Sequence, residues 1–398
     1  MLSQQKSVLV LMGAGASYGL VPQVQDITDT LLTWVAPGTN IPSPFFEPFM
    51  QKAGRKKTLL NFEDLIDFLD TLASWNWTAN NGFDFYPTLW LMNKVFRRRS
   101  FRRGTMPHLQ LNGGLLRLDA FKARVEVLSH IYRASDSLTM PKAPINTILS
   151  ALNQEFRLTV ASLNYDNVLD FGNLPLDNGF HLPLPKDTKQ FDPRFEFSTS
   201  EDVAFLPLHG SVHFVPPFSL GQSVIASPLQ PLWVQDIHRA EALRQSSSVG
   251  YSAIKDWQID PVMITGRNKL ANTVTYPYSA YMSLLRRHAF ADDTWFIVGY
   301  GGNDAHINAV LGQALYTRVG VHHPPKIIVC DYGSAATLDS LFRRMWTFSG
   351  FSASLGDEEN GWLPLFTLHK DCHLGWAWLN GVESLSQSVV DLLSHMRP

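Results

Sequence analysis

Apolar residues recur along the chain in short unbroken runs, each ending in glycine or small polar residues. The first, Val8-Leu9-Val10-Leu11, stops at Gly13-Ala14-Gly15-Ala16-Ser17. Later runs read "RLTVASLNYD" from Arg157, "DVAFLPLHGSVHF" from Asp202, "PVMITG" from Pro261, "TWFIVGYGGND" from Thr294 and "KIIVCDYG" from Lys326. Runs of this length without alternation predict strands covered on both faces, as in a parallel sheet. Between them, helical spacing predicts helices over "QVQDITDTLLTWV" and "NFEDLIDFLDTLASW", the latter capped by Asn61 with Asp64 at the capping-box position. More helix is expected over about 115–155 and near 277–290, 303–317 and 335–346, and the tail "HLGWAWLNGVESLSQSVVDLLSHM" reads as a closing helix. Strand, break and helix in repeated order predict an α/β fold: a doubly wound, Rossmann-like parallel sheet with a mainly helical insertion. The boundaries expected are 1–60 and 156–350 for the α/β domain, 61–155 for the insertion and 351–398 for a C-terminal closing segment.

Composition narrows the class. Hydrophobic residues make up 45% and charged residues 17% of 398, an ordinary globular profile that argues against widespread disorder. Lys and Arg number 33 against 35 Asp and Glu, a net charge of −2, so no global case for nucleic acid arises. Cys330 and Cys372 cannot supply a four-cysteine zinc site. The loose spacing of His322, His323, His369, Cys372 and His373 is read as loop and core, and no metal is expected. The N-terminus lacks a basic region followed by a full apolar segment, and no apolar run approaches the roughly 20 residues of a membrane helix. A cytoplasmic protein without membrane contact is therefore expected. Trp75, Trp77, Trp90 and the stretch "FRRRSFRRG" fit a solvated face or protein contact better than direct nucleic-acid binding.

The chemistry-bearing residues collect where strands end, which is where doubly wound sheets bind ligands. Gly13–Ser17 follows the first run, Asn164-Tyr165-Asp166 the second, His209-Gly210-Ser211 the third, and Gly299–Asp304 the run from Thr294. A helix beginning near Ser17 would favour an anion at its free N–H groups. A Walker loop is excluded, because no lysine follows the glycines. The dinucleotide fingerprint fails too: Tyr18 stands where G-x-G-x-x-G needs its last glycine. His213, four residues past His209, is read as structural, with Gly210 turning the chain between them.

Taken in order, Gly13-Ala14-Gly15-Ala16-Ser17, "LNYDNVLD", "LPLHGSVHF" and "WFIVGYGGNDAHINAVL" resemble the sirtuin-like superfamily over residues 7 to about 331. The resemblance implies that the α/β domain binds NAD+, with the glycine loop and Ser17 on its diphosphate. It also implies a catalytic pair, Asn164 positioning water and ribose and His209 as base, with Asp166 at the nicotinamide ribose. Gly299 and Gly301 would approach the adenosine half, with Asn303 and Asp304 either capping the next helix or contacting ligand. The four-cysteine zinc module of protein deacetylases is absent, as is the Asp-Phe-Arg segment after their loop; "VPQVQDIT" stands there instead. The chain thus looks more like bacterial antiphage-defence sirtuin-like NAD hydrolases. That likeness implies NAD+ as substrate, a homo-oligomer, and activation by assembly or by a HerA-type ATPase or Argonaute-like partner. Other outcomes compatible with the residues are a non-catalytic NAD or ADP-ribose-binding scaffold and an ADP-ribosyltransferase.

Overall fold

A computed structural model describes residues 6–35, 113–136, 143–197, 202–216, 230–250, 262–265, 273–346, 353–367 and 373–397, with Phe62, Glu63, Ile66 and Lys269 between them. The expectations for residues 75–107, and most of those for the helix from Asn61, fall outside the described residues.

The strands are β1 (Ser7–Met12), β2 (Arg157–Ser162), β3 (Leu176–Asp177), β4 (Leu182–Leu184), β5 (Thr188–Gln190), β6 (Val203–Pro207), β7 (Phe214–Val215), β8 (Leu232–Val234), β9 (Thr294–Val298), β10 (Lys326–Cys330), β11 (Ala353–Leu355), β12 (Trp362–Thr367) and β13 (His373–Trp378). The helices are α1 (Val24–Val35), α2 (Gly113–Asp136), α3 (Pro144–Glu155), α4 (Ile237–Gly250), α5 (Tyr278–Ala291), α6 (Ala305–Gly320), α7 (Ala335–Trp346), α8 (Gly381–Gln387) and α9 (Val389–Met396).

Among the described residues nine strands form one sheet in the order β11-β12-β13-β10-β9-β1-β2-β6-β3. It is parallel from β13 through β3, and at one edge β12 pairs antiparallel with both β13 and β11. β1 is central, with Val8 beside both Leu158 and Thr294. That position explains its unbroken apolar run, since both faces lie under other elements and Val8 through Met12 are buried. Two helix groups flank the sheet: α5, α6 and α7 pack side by side, and α8 packs against both α3 and α9. The fold is thus α/β, Rossmann-like, with a mostly parallel sheet. From β1 the chain first builds toward β2 and β6, then returns to place β9 and β10 on the other side. The order therefore reverses between β1 and β9, and the crevice at their carboxyl ends is where such sheets hold ligands.

Besides α4, β11 and β12, which the sequence reading did not anticipate, three features differ from the sequence expectation. The run from Pro261 does not form a strand: among its described residues Met263 makes a single bridge to Gly210. The tail is not one helix. His373–Trp378 extends the sheet as β13 beside β10, and only then do α8 and α9 follow. Finally, β4, β5, β8 and β7 pair as a small antiparallel sheet, from strands too short to leave a periodic signal.

Gly375 lets β13 sit against β10. It has φ +150°, and a Cβ there would land on the Ile327 carbonyl. Gly375→Ala should therefore cost about 2–4 kcal/mol of unfolding free energy, from backbone strain plus overpacking, measured by urea denaturation.

Candidate functional site

The site begins with two loops that touch. After β1 the chain turns through Ala14–Ser17; after β9 it turns at Gly299, with φ +59°. The Gly13 N–H donates to the Val298 carbonyl at 2.9 Å and the Gly15 N–H to the Gly299 carbonyl at 3.0 Å. A Cβ on Gly299 would fall on the backbone of Gly15 and Ala16, so the approach requires glycine there. These bonds correct one expectation. The Gly13 and Gly15 amides are spent on the partner loop and are not free for a diphosphate. The turn at Ala14–Ser17 is a 3₁₀ turn of 4 residues, and the next helix starts only at Val24, so no helix aims its N-terminus from Ser17.

Over these loops opens a cavity of about 1050 Å³, the size range of small-molecule and cofactor sites. Gly13, Ala14, Gly15, Asn164, Asp166, His209, Gly299, Gly301, Asn303 and Asp304 all line it. Ala16 and Ser17 do not: both are buried beneath the surface the other residues form. Ser17 instead braces that floor. The Asn164 Nδ2 donates to the Gly13 carbonyl at 3.0 Å and to the Ser17 Oγ at 3.1 Å. Both amide hydrogens are then used, leaving the Asn164 Oδ1 as the group able to accept from a ligand or water. Asp166 accepts from the Val168 N–H at 3.0 Å, and burial raises its carboxyl above the ordinary range despite that bond and one from Ser17.

His209 is pinned by its backbone. The Leu208 N–H donates to the Ser162 carbonyl at 2.8 Å, and the His209 carbonyl accepts from the Ile264 N–H at 2.7 Å. Behind it the buried Arg244 holds the continuing chain, donating to the carbonyls of Val212 and Phe214. The imidazole is 2% exposed. Burial, then the charge of Lys269, drive its pKa well below the ordinary histidine value, with Asp304 only partly opposing. At neutral pH the ring is an uncharged base.

Sequence reasoning missed Glu63, Lys269 and His306. The Lys269 ammonium sits 2.6 Å from the Asp304 Oδ1 and 3.0 Å from the Glu63 Oε2. Burial opposes that ammonium, yet the two carboxylates hold its pKa above the usual lysine value. Burial likewise opposes the Asp304 carboxylate, and its cationic surroundings outweigh it, lowering the pKa. Asp304 occupies the N-cap position of α6 but makes no side-chain capping bond, because the carboxylate turns to Lys269. Asn303 also forgoes capping and accepts from Arg344 at 2.5 Å. His306 stands in the first turn of α6, with its Nε2 3.4 Å from that of His209. It was visible two residues past Asp304 in "NDAHIN", whereas nothing around Lys269 marks it. His209, Asp304 and His306 each offer a ligand atom within 4.8 Å of the others, a group that could hold a metal ion. His213 is structural, as expected: buried, stacked on Trp233 at 4.2 Å, with its Nε2 2.7 Å from the Asp170 Oδ2.

No protein-family model and no curated protein sequence matches the chain. Among the described residues no helix is long and apolar enough to cross a membrane.

Lys269→Met removes the ammonium that Asp304 and Glu63 share. We expect a loss of about 2–4 kcal/mol in chemical unfolding, part of it recovered when Asp304→Asn is added.

Proposed function

We propose that this chain hydrolyses NAD+ at the nicotinamide–ribose bond, releasing nicotinamide and ADP-ribose. One observation carries the reading: Asn164 and His209, from different strand ends, line the same cavity as the β1 glycine loop and the β9 turn. The sirtuin-like resemblance of those segments supports the choice of NAD+, and the cavity has the volume for a ligand of that class.

The chemistry follows from charge. As the C1′–N bond breaks, its electron pair goes to the nicotinamide nitrogen, which leaves neutral. Positive charge develops at C1′, and a water oxygen bonds there. The Asn164 Oδ1 accepts from that water or from a ribose hydroxyl and so fixes its approach. The uncharged His209 takes the proton released, either from the water or relayed through a ribose hydroxyl. Asp166 lies on the same wall and orients the ribose side of the ligand. The diphosphate is left to the exposed Ala14 edge and the cavity's other polar lining, since Ser17 and the Gly13 and Gly15 amides are committed to the protein.

A hydrolase of so central a metabolite is toxic unless restrained. The reading therefore includes a defence effector that is quiet in the resting cell and switched on by self-assembly or by a partner such as a HerA-type ATPase. A cytoplasmic location belongs to the same reading.

The test is chromatographic detection of nicotinamide and ADP-ribose after incubating the purified chain, alone and with candidate partners, with NAD+. We expect turnover that falls at least about 100-fold in His209→Ala, the scale lost with a general base, and comparably in Asn164→Ala. Equal rates in wild type and His209→Ala would reject the assignment. Nicotinamide release with label on a macromolecule would indicate ADP-ribosyl transfer, and tight binding without turnover a scaffold.

A further inference from the structure

The pair of imidazoles facing each other across the cavity wall is more than hydrolysis requires. His209 comes from the loop after β6 and His306 from the first turn of α6, 97 residues later in the chain. Their Nε2 atoms are 3.4 Å apart, and the His209 Nε2 lies 3.7 Å from the Asp304 Oδ1. Two nitrogens bound to one tetrahedral zinc at about 2.05 Å would lie about 3.3 Å apart. The spacing is thus that of two ligands sharing an ion, and it is long for a hydrogen bond between them.

The ligand set agrees with the spacing. Two imidazoles and a carboxylate suit zinc and its neighbours in the first transition row, whereas magnesium and calcium take oxygen. The Asp304 carboxylate, whose Oδ1 also holds the Lys269 ammonium, completes the set. A fourth position would open to the cavity that His209, Asp304 and His306 all line.

We propose that His209, Asp304 and His306 form a three-ligand site for a divalent transition-metal ion of the zinc class, whose occupation withdraws the His209 lone pair and so restrains the chain. The site itself stands on geometry alone; the restraint rests on the hydrolase reading above.

The test uses the full chain, stripped with chelator and titrated with Co²⁺, then Zn²⁺, in the absence of NAD+. One equivalent of Co²⁺ should give the visible absorption of a tetrahedral centre, and Zn²⁺ should displace it. His306→Gln should weaken zinc binding at least about 100-fold, beyond what losing an outer-shell partner costs, while His213→Gln should leave it unchanged. X-ray absorption at the zinc edge of the wild-type chain should report two imidazole nitrogens, an outcome that needs no variant to fold. Absence of a stoichiometric site, or unchanged affinity in a folded His306→Gln, overturns the proposal. In any preparation that turns over NAD+, zinc should lower the rate with a midpoint matching its binding constant, and a zinc-loaded chain at full speed overturns the restraint. Stoichiometric zinc binding together with no NAD+ turnover under any condition would sink the hydrolase reading and leave the metal site standing.

Discussion

Two backbone loops in direct contact set the geometry of everything above them. The Gly15 N–H donates to the Gly299 carbonyl and the Gly13 N–H to the Val298 carbonyl, and a Cβ at Gly13, Gly15 or Gly299 would collide with the facing loop's backbone. Their contact closes the crevice where the strand order reverses, making a floor out of what would otherwise be an open groove. Asn164 then ties the floor to the end of β2 through its bonds to Gly13 and Ser17. The glycines here serve protein packing first. Their resemblance to a phosphate-binding loop is real in sequence, but much of the hydrogen-bonding capacity such a loop would offer is turned inward.

Electrostatics govern the opposite wall. A buried imidazole beside a lysine ammonium loses the competition for a proton, and His209 is kept uncharged in consequence. The ammonium is there because two carboxylates hold it, and Asp304 leaves its capping role to do so. One arrangement thus ties the start of α6, Lys269 and Glu63 to the state of His209. It also places a second imidazole where it can share whatever occupies that corner of the cavity.

Much of the fold was legible in the chain because buried parallel strands need unbroken apolar runs, and β1, β2, β6, β9 and β10 all have them. Helices α5, α6 and α7 were legible for the complementary reason, one apolar face repeating between those strands. The failures have physical causes too. "PVMITG" has the composition of a strand but only one backbone partner, at Gly210. "HLGWAW" was assigned to helix, and it extends the sheet beside β10 instead. The strands of the small antiparallel sheet are two or three residues long, below any window that periodicity can use.

For the site, sequence alone determined which strand ends carry glycine, amide, carboxylate and imidazole, because turns out of a parallel sheet must be made from small or polar residues. That the ends of β2 and β6, which carry Asn164 and His209, are neighbours came from the sheet order. Only the tertiary structure decided which atoms face the cavity: that Ser17 lies under the floor, that the Asn164 amide hydrogens are already committed, and that Asp304 turns from its helix to a lysine. The physical reason is that a polar atom's role is set by which partners satisfy it. Those partners, Lys269, Glu63 and His306 among them, reach the site through packing that no local pattern encodes.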